Sequence, residues 1–187
     1  MSLWKQMNFA GIDGLDLVQR VMLACDGTLT DVLEVAFQEP IKVLKLAMHL
    51  HETGAACTLV DPDHAQRTIE RRVVLAGSRT DTPYVYAESW IAVDRLPERM
   101  RELLFTSGAA IGRQWADCKL ETRKELLTAK RLQDSRASAY IKTDPGVEWL
   151  DRAYRLFAGG LPIMVIKECF PCRYPASTLR MEVGHAA

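Results

Sequence analysis

The chain has 187 residues, of which 48% are hydrophobic, 26% charged and 7% aromatic. That is the composition of an ordinary globular protein and excludes a disordered, collagen-like or disulfide-stapled one. Its 24 Lys and Arg balance 24 Asp and Glu, so no global field draws it to nucleic acid, and no nucleic-acid partner is expected.

A chain of this length buries roughly 70% of its unfolded surface. No repeat, low-complexity tract or Gly/Ser linker divides it, so residues 1–187 are expected to form a single domain. Leu15 to Leu23 shows helical spacing and ends at Asp26-Gly27-Thr28. Thr28 and Asp31 stand in capping-box positions for a second helix with Leu29, Val32, Leu33 and Phe37 as its stripe, closed by Pro40. Strands are expected over Ile41 to Leu50, Thr68 to Leu75 and Tyr84 to Val93, the last two pairing antiparallel through a loop at Ser78 to Pro83. Pro97 opens a helix over Leu96 to Leu104, and the amphipathic stretch Leu120 to Leu132 reads as another helix, followed by a polar loop to Pro145. Arg152 to Phe157 and Leu161 to Phe170 flank Ala158-Gly159-Gly160, a hairpin signal because both glycines can take positive φ. Five or six strands joined by short turns define an α+β protein with an antiparallel sheet and covering helices.

No apolar run approaches the roughly 20 residues a membrane helix needs, and Met1 to Ala10 lacks the apolar stretch of a secretory signal. The expectation is a cytoplasmic protein with no membrane partner. Five cysteines, Cys25, Cys57, Cys118, Cys169 and Cys172, form no disulfide framework.

Two charged residues stand in rows that otherwise read as core. Period two puts Arg71 with Ile69, Val73 and Leu75, while Glu70, Arg72 and Val74 share the other face. Arg71 therefore needs an anion, either an internal carboxylate or a ligand carboxylate held in a bidentate fork. Glu168 shares a face with Met164, Ile166 and Phe170, and a buried carboxylate is costly unless paired. A two-residue Gly-Gly loop in regular register places Arg155 opposite Met164, on the side of Glu168. One face then gathers Arg71, Arg155 and Glu168, as a structural salt bridge or as a binding site.

Other motifs carry less. Ala24 to Thr30 is similar to the Asp-x-Asp-Gly-Thr pattern of haloacid dehalogenase phosphatases, but the nucleophilic first Asp is Ala24 here, so the stretch reads as a turn and helix cap. Cys169-Phe170-Pro171-Cys172 follows a strand rather than opening a helix, and zinc would need a second pair. His49 and His51 have no acidic partners in a metal pattern, and His64 and His185 stand without one too. Gly11 to Gly14 and Gly108 to Gly112 lack the lysine and spacing of a phosphate loop, and no Gly-x-Ser-x-Gly is present. No metal site is expected.

Beyond these readings, several stretches resemble the chorismate pyruvate-lyase (4-hydroxybenzoate synthase) family in its mycobacterial-type branch. They are Ala24 to Thr30, Arg71 to Leu75, Tyr86 to Pro97, Ile111-Gly112, Glu121-Thr122 and Tyr154 to Met164, within a likeness running from about Asp26 to Phe170. The resemblance implies a cofactor-free lyase acting on a small dianionic substrate, and a fold shared with the effector domains of some transcription regulators. Those carry a winged helix in front, for which this chain has no room. By resemblance, Arg71 anchors the substrate, Glu168 is the catalytic acid that orients the ring or handles a proton, and the Ile111 backbone binds ligand. Arg155 matches an Arg beside the Gly-Gly hairpin and is a further anion-binding candidate. Lys167 stands where relatives commonly have Thr; on a regular strand it points away from Glu168, and on a bulged one it pairs with it. Trp115 and Gly108 to Gly112 are candidates for a mobile cover. A lyase on a related enolpyruvyl or cyclic hydroxy acid, and a non-catalytic binding domain, remain the alternatives.

Overall fold

The structure, a computed structural model, describes residues 14–64, 67–107, 110–133 and 136–174. Six strands, β1 (Ile41–His51), β2 (Thr68–Gly77), β3 (Pro83–Ala92), β4 (Arg123–Leu132), β5 (Trp149–Ala158) and β6 (Leu161–Pro171), make one sheet in the order β1-β2-β3-β6-β5-β4. Every neighbouring pair is antiparallel, which confirms the expected α+β class. The helices described are α1 (Leu17–Ala24), α2 (Leu29–Phe37), α3 (Ala55–Leu59), α4 (Glu98–Thr106) and α5 (Ile111–Asp117). No described helix is long and apolar enough to cross a membrane.

Local chemistry accounts for most of these boundaries. Asp16 caps α1 by accepting from the Gln19 backbone N–H at 2.8 Å, and the Gln19 side chain accepts in return from the Asp16 N–H at 2.8 Å, closing a capping box. The box expected at α2 is absent: Thr28 is its N-cap but makes no side-chain cap hydrogen bond, and its side chain is turned toward Gly112. The Gly159-Gly160 turn joins β5 to β6 with φ of 56° and 82°, the left-handed pair that a two-residue hairpin demands.

Residues 120–132 correct the sequence reading. Leu, Lys, Glu and Ala favour a helix in isolation, yet Arg123–Leu132 is a strand along the whole of β5. A bulge between Leu126 and Thr128 breaks its alternation, which hid period two from the sequence. Its charges suit the place, since β4 is an edge of the sheet and charged side chains protect an exposed edge from further pairing.

One face of the sheet carries two apolar clusters, one toward each end of the strands. Met22, Leu23, Leu29 and Leu33 of α1 and α2 pack on Val73, Leu75, Leu150 and Phe170. Met100 and Leu104 of α4 and Ile111 and Trp115 of α5 pack on Ile69, Ile91, Leu156 and Met164. Between the clusters run the rows that hold Arg71 and Glu168. Val74, Tyr86, Trp149 and Cys169 form a third cluster on the opposite face, with Ala137 and Ile141.

A buried carboxylate fastens the β2–β3 turn. Glu39 accepts from the Arg79 N–H at 2.9 Å, the Thr80 N–H at 3.2 Å, the Thr80 hydroxyl at 2.7 Å and the Tyr84 hydroxyl at 2.5 Å. Gly77 makes room for it, as a Cβ there would stand 2.1 Å from the carboxylate. Burial alone would raise the Glu39 pKa, but the hydrogen bonds from Tyr84, Thr80 and Arg79 outweigh it and bring the value down to about 2. A depressed carboxylate stabilises the fold above its ordinary pKa of 4.5 and loses that contribution as pH falls toward 2. Glu39→Gln is therefore expected to destabilise the protein by roughly 2 kcal/mol at neutral pH. In thermal unfolding measured across pH, the gap between variant and wild type should close between about pH 4.5 and pH 2.

Candidate active site

Two cross-strand rows build the site. Arg71 on β2 lies opposite Ser89 on β3, which faces Ile166 on β6 and then Tyr154 on β5. One row along, Val73, Ala87, Glu168 and Arg152 follow each other across the same four strands. Above them is a cavity with about 540 Å³ of empty space, part of it continuous with solvent, lined by Arg71, Glu168, Tyr154, Lys124 and apolar side chains including Val43, Val73 and Ile166. Its roof is formed by the segment entering α2, Gly27 to Thr30, and by Ala110, Ile111, Gly112 and Trp115 at α5. The two halves touch where Gly112 meets Thr28: a Cβ on Gly112 would lie 2.7 Å from the Thr28 methyl carbon.

Arg71, Glu168 and Ile111 are thus brought to one cavity, while Arg155 is not. The β5–β6 pairing starts as expected, with Ala158 opposite Leu161 and Phe157 opposite Pro162, but Ile163 is then extra and Leu156 pairs with Met164. From that bulge onward the register has moved by one, so Arg155 faces Val165 on the opposite side of the sheet and Arg152 takes the place beside Glu168. The signal for it was Pro162: a proline two residues into a central strand belongs at a strand start or a bulge. Tyr154 and Lys124 were missed as well, the first by the same register and the second because its strand read as a helix. Lys167 points away from Glu168 and lies 3.7 Å from Asp151 on the opposite face. Of the cover segment, Gly108 falls outside the described residues, whereas Gly112 and Trp115 line the cavity.

Glu168 is buried and doubly held. Its carboxylate accepts from Arg152 Nε at 2.5 Å and from the Tyr154 hydroxyl at 3.0 Å. Arg152 Nη1 donates in addition to the carbonyls of Met22, Leu23 (3.1 Å) and Cys25 (3.2 Å), which have no partners within α1 because they end it. Burial works against the Arg152 charge, and the attraction of Glu168 more than offsets it. Burial, reinforced by the nearby Glu168 charge, raises the Tyr154 hydroxyl well above its ordinary pKa, so it remains a donor.

Arg71 is the opposite case. It is 3% exposed, its Nε has no hydrogen-bond partner, and no ion pair among the described residues includes it. Burial brings its pKa down to about 10. A buried guanidinium with no counterion is costly, and here it faces a cavity. The neighbouring Arg72 lies on the other face beside Glu70, at 3.3 Å.

Of the other motifs, all five cysteines are free, Asp26 to Thr28 lead into α2, which Leu29 and Thr30 open, His51 meets Glu70 at 3.0 Å, and His64 meets Asp61 at 3.5 Å. His185 lies outside the described residues.

An antiparallel six-stranded sheet with helices over one face thus closes on a cavity that holds an arginine without a counterion and a carboxylate held by two donors. Residues 23–176 match the model of the Rv2949c-like chorismate pyruvate-lyase family, and the chain belongs to that family. It is 28% identical over 167 residues to the chorismate pyruvate-lyase of Mycobacterium tuberculosis, covering 81% of this chain and 78% of that protein. It is 28% identical over 165 residues to that of Mycobacterium leprae, with 83% and 75% coverage. Among solved structures it resembles PhnF from Mycobacterium smegmatis (TM-score 0.60, 14% identity, 79% of this chain and 64% of that one). It also resembles the ligand-binding domain of a GntR-family regulator from Bordetella bronchiseptica (TM-score 0.55, 16% identity, 70% and 85%). At these identities the structural likeness speaks for the fold.

Arg152→Met strips Glu168 of its counterion and is expected to cost about 3–5 kcal/mol in urea unfolding. Adding Glu168→Leu should recover a good part of that loss, because the carboxylate left uncompensated is then gone.

Proposed function

We propose that the protein is a chorismate pyruvate-lyase that converts chorismate into 4-hydroxybenzoate and pyruvate at the Arg71–Glu168 cavity, without a cofactor. The observation that carries this reading is the unpaired, buried Arg71 guanidinium facing the cavity. Family membership supplies the substrate class, a small cyclic acid with carboxylates.

In the elimination, the ether bond between the ring and the enolpyruvyl oxygen breaks. The ring carbon that bears the hydroxyl gives up its hydrogen as the aromatic system forms, and the departing enolpyruvyl group takes up a proton at its methylene carbon to become pyruvate. Substrate and products then balance with nothing else consumed. Aromatisation drives the step, and the protein's part is to bind, orient and stabilise migrating charge.

Arg71 grips a carboxylate through its fork of N–H donors. Glu168 has lone pairs left after accepting from Arg152 and Tyr154, and these receive the ring hydroxyl and fix the ring against the sheet. Arg152 and Tyr154 act through Glu168 and are positioning residues: they stop the carboxylate from turning toward Arg71 and cancelling it. Val43, Val73, Ile166 and Trp115 keep the walls apolar, which strengthens each electrostatic contact inside.

The test is to incubate purified protein with chorismate and follow both products by chromatography. Equal amounts of pyruvate and 4-hydroxybenzoate are expected. Arg71→Ala should lower kcat/KM by roughly 10²–10³, the loss of two charge-assisted hydrogen bonds. Glu168→Gln should lower kcat by roughly 10²–10⁴ with a smaller change in KM. Tight binding of chorismate and 4-hydroxybenzoate without turnover would instead identify a binding module, and neither binding nor turnover would point to a different cyclic acid.

A further inference from the structure

Formal charge at the cavity does not cancel. Glu168 is neutralised by Arg152, which leaves two cations facing the space, Arg71 and Lys124. Neither takes part in any ion pair among the described residues. The Lys124 ammonium donates to the neutral Gly27 carbonyl at 2.6 Å and sits 5.0 Å from the centre of the Tyr154 ring. Burial and the Arg152 charge lower its pKa, while Glu168 and Asp26 pull the other way.

Counted in strands, the placement is symmetric. In the order β1-β2-β3-β6-β5-β4, Glu168 on β6 has Arg71 two strands to one side and Lys124 two strands to the other. Backbones four strands apart are separated by about 19 Å, and two long side chains reaching inward shorten that to a span a small dicarboxylate can bridge. Lys124, on the edge strand beside Gly27, is half-buried, whereas Arg71 is buried.

We propose that Lys124 is the specificity-determining residue for dianions: Arg71 holds the carboxylate that stays on the ring and Lys124 holds the carboxylate of the departing three-carbon unit, with the bond to be broken over Glu168. The inference rests on the lyase reading for the identity of the substrate, but its chemistry is the recognition of two carboxylates on one small molecule. It implies that the aromatic product, a monoanion, keeps only the Arg71 one of the two carboxylate contacts.

The test uses two unreactive probes that differ by one carboxylate, 3-(carboxymethoxy)benzoate and 3-methoxybenzoate, with binding to the full chain measured by calorimetry. The protein is expected to bind the dianion roughly 10- to 100-fold more tightly, the contribution of one charge-assisted contact. Lys124→Met should remove that preference and leave the monoanion affinity within about twofold, whereas Lys124→Arg should retain it; unchanged thermal midpoints would show both variants folded. Absent or equal binding of the two probes by the unmodified protein overturns the proposal. So does a preference that survives Lys124→Met, or a loss that falls equally on both probes. Because the probes do not react, failure of chorismate turnover with the preference intact sinks the lyase reading and not this one.

Discussion

Glu168 can neutralise one arginine, and the architecture assigns it to Arg152, held at 2.5 Å on the adjacent strand. Everything distinctive about the cavity depends on that pairing. Had the carboxylate turned to Arg71 instead, the cavity would hold a closed salt bridge where it now holds a buried guanidinium without a counterion. Arg152 also gathers the free carbonyls at the end of α1. One guanidinium therefore fixes both the acid in the floor and the helix that covers it, so distorting the helix end also disturbs the acid.

The apolar clusters to either side make this arrangement tolerable. Each packs a helical pair onto one end of the sheet, and together they supply the burial that offsets keeping charged groups out of water between them. The same packing keeps the cavity walls apolar. The fold thus keeps its apolar packing toward the ends of the strands and the charged residues of the cavity between them.

How much of this was legible in the sequence can be judged residue by residue. Arg71 was visible because β2 alternates without a break through that point, so a charge in an apolar row stood out. Glu168 was visible for the same reason on β6. What failed was the relation between strands. The extra Ile163 lies ahead of Met164 to Phe170 and leaves their alternation intact while shifting every cross-strand pair beyond it, so Arg155 was placed where Arg152 belongs. The helix expected over 120–132 failed for a related reason. β4 draws its conformation from hydrogen bonds to β5, a long-range term that outweighs the helix propensity of Leu, Lys and Glu, and with it went the chance of placing Lys124.

The extra residue in β6 also decides which charges meet across the hairpin. In an unbulged hairpin counted from Ala158 and Leu161, Glu168 would face Asp151 and Lys167 would face Arg152, two repulsive pairs side by side in the middle of the sheet. With Ile163 as the extra residue, Glu168 faces Arg152 and Lys167 lies beside Asp151, and both repulsions become attractions. The charge pattern of β5 and β6 therefore proofreads the hairpin. A chain that closes in the wrong register meets two adjacent repulsions at once, so the pair that holds Glu168 in the cavity floor also disfavours the misregistered hairpin.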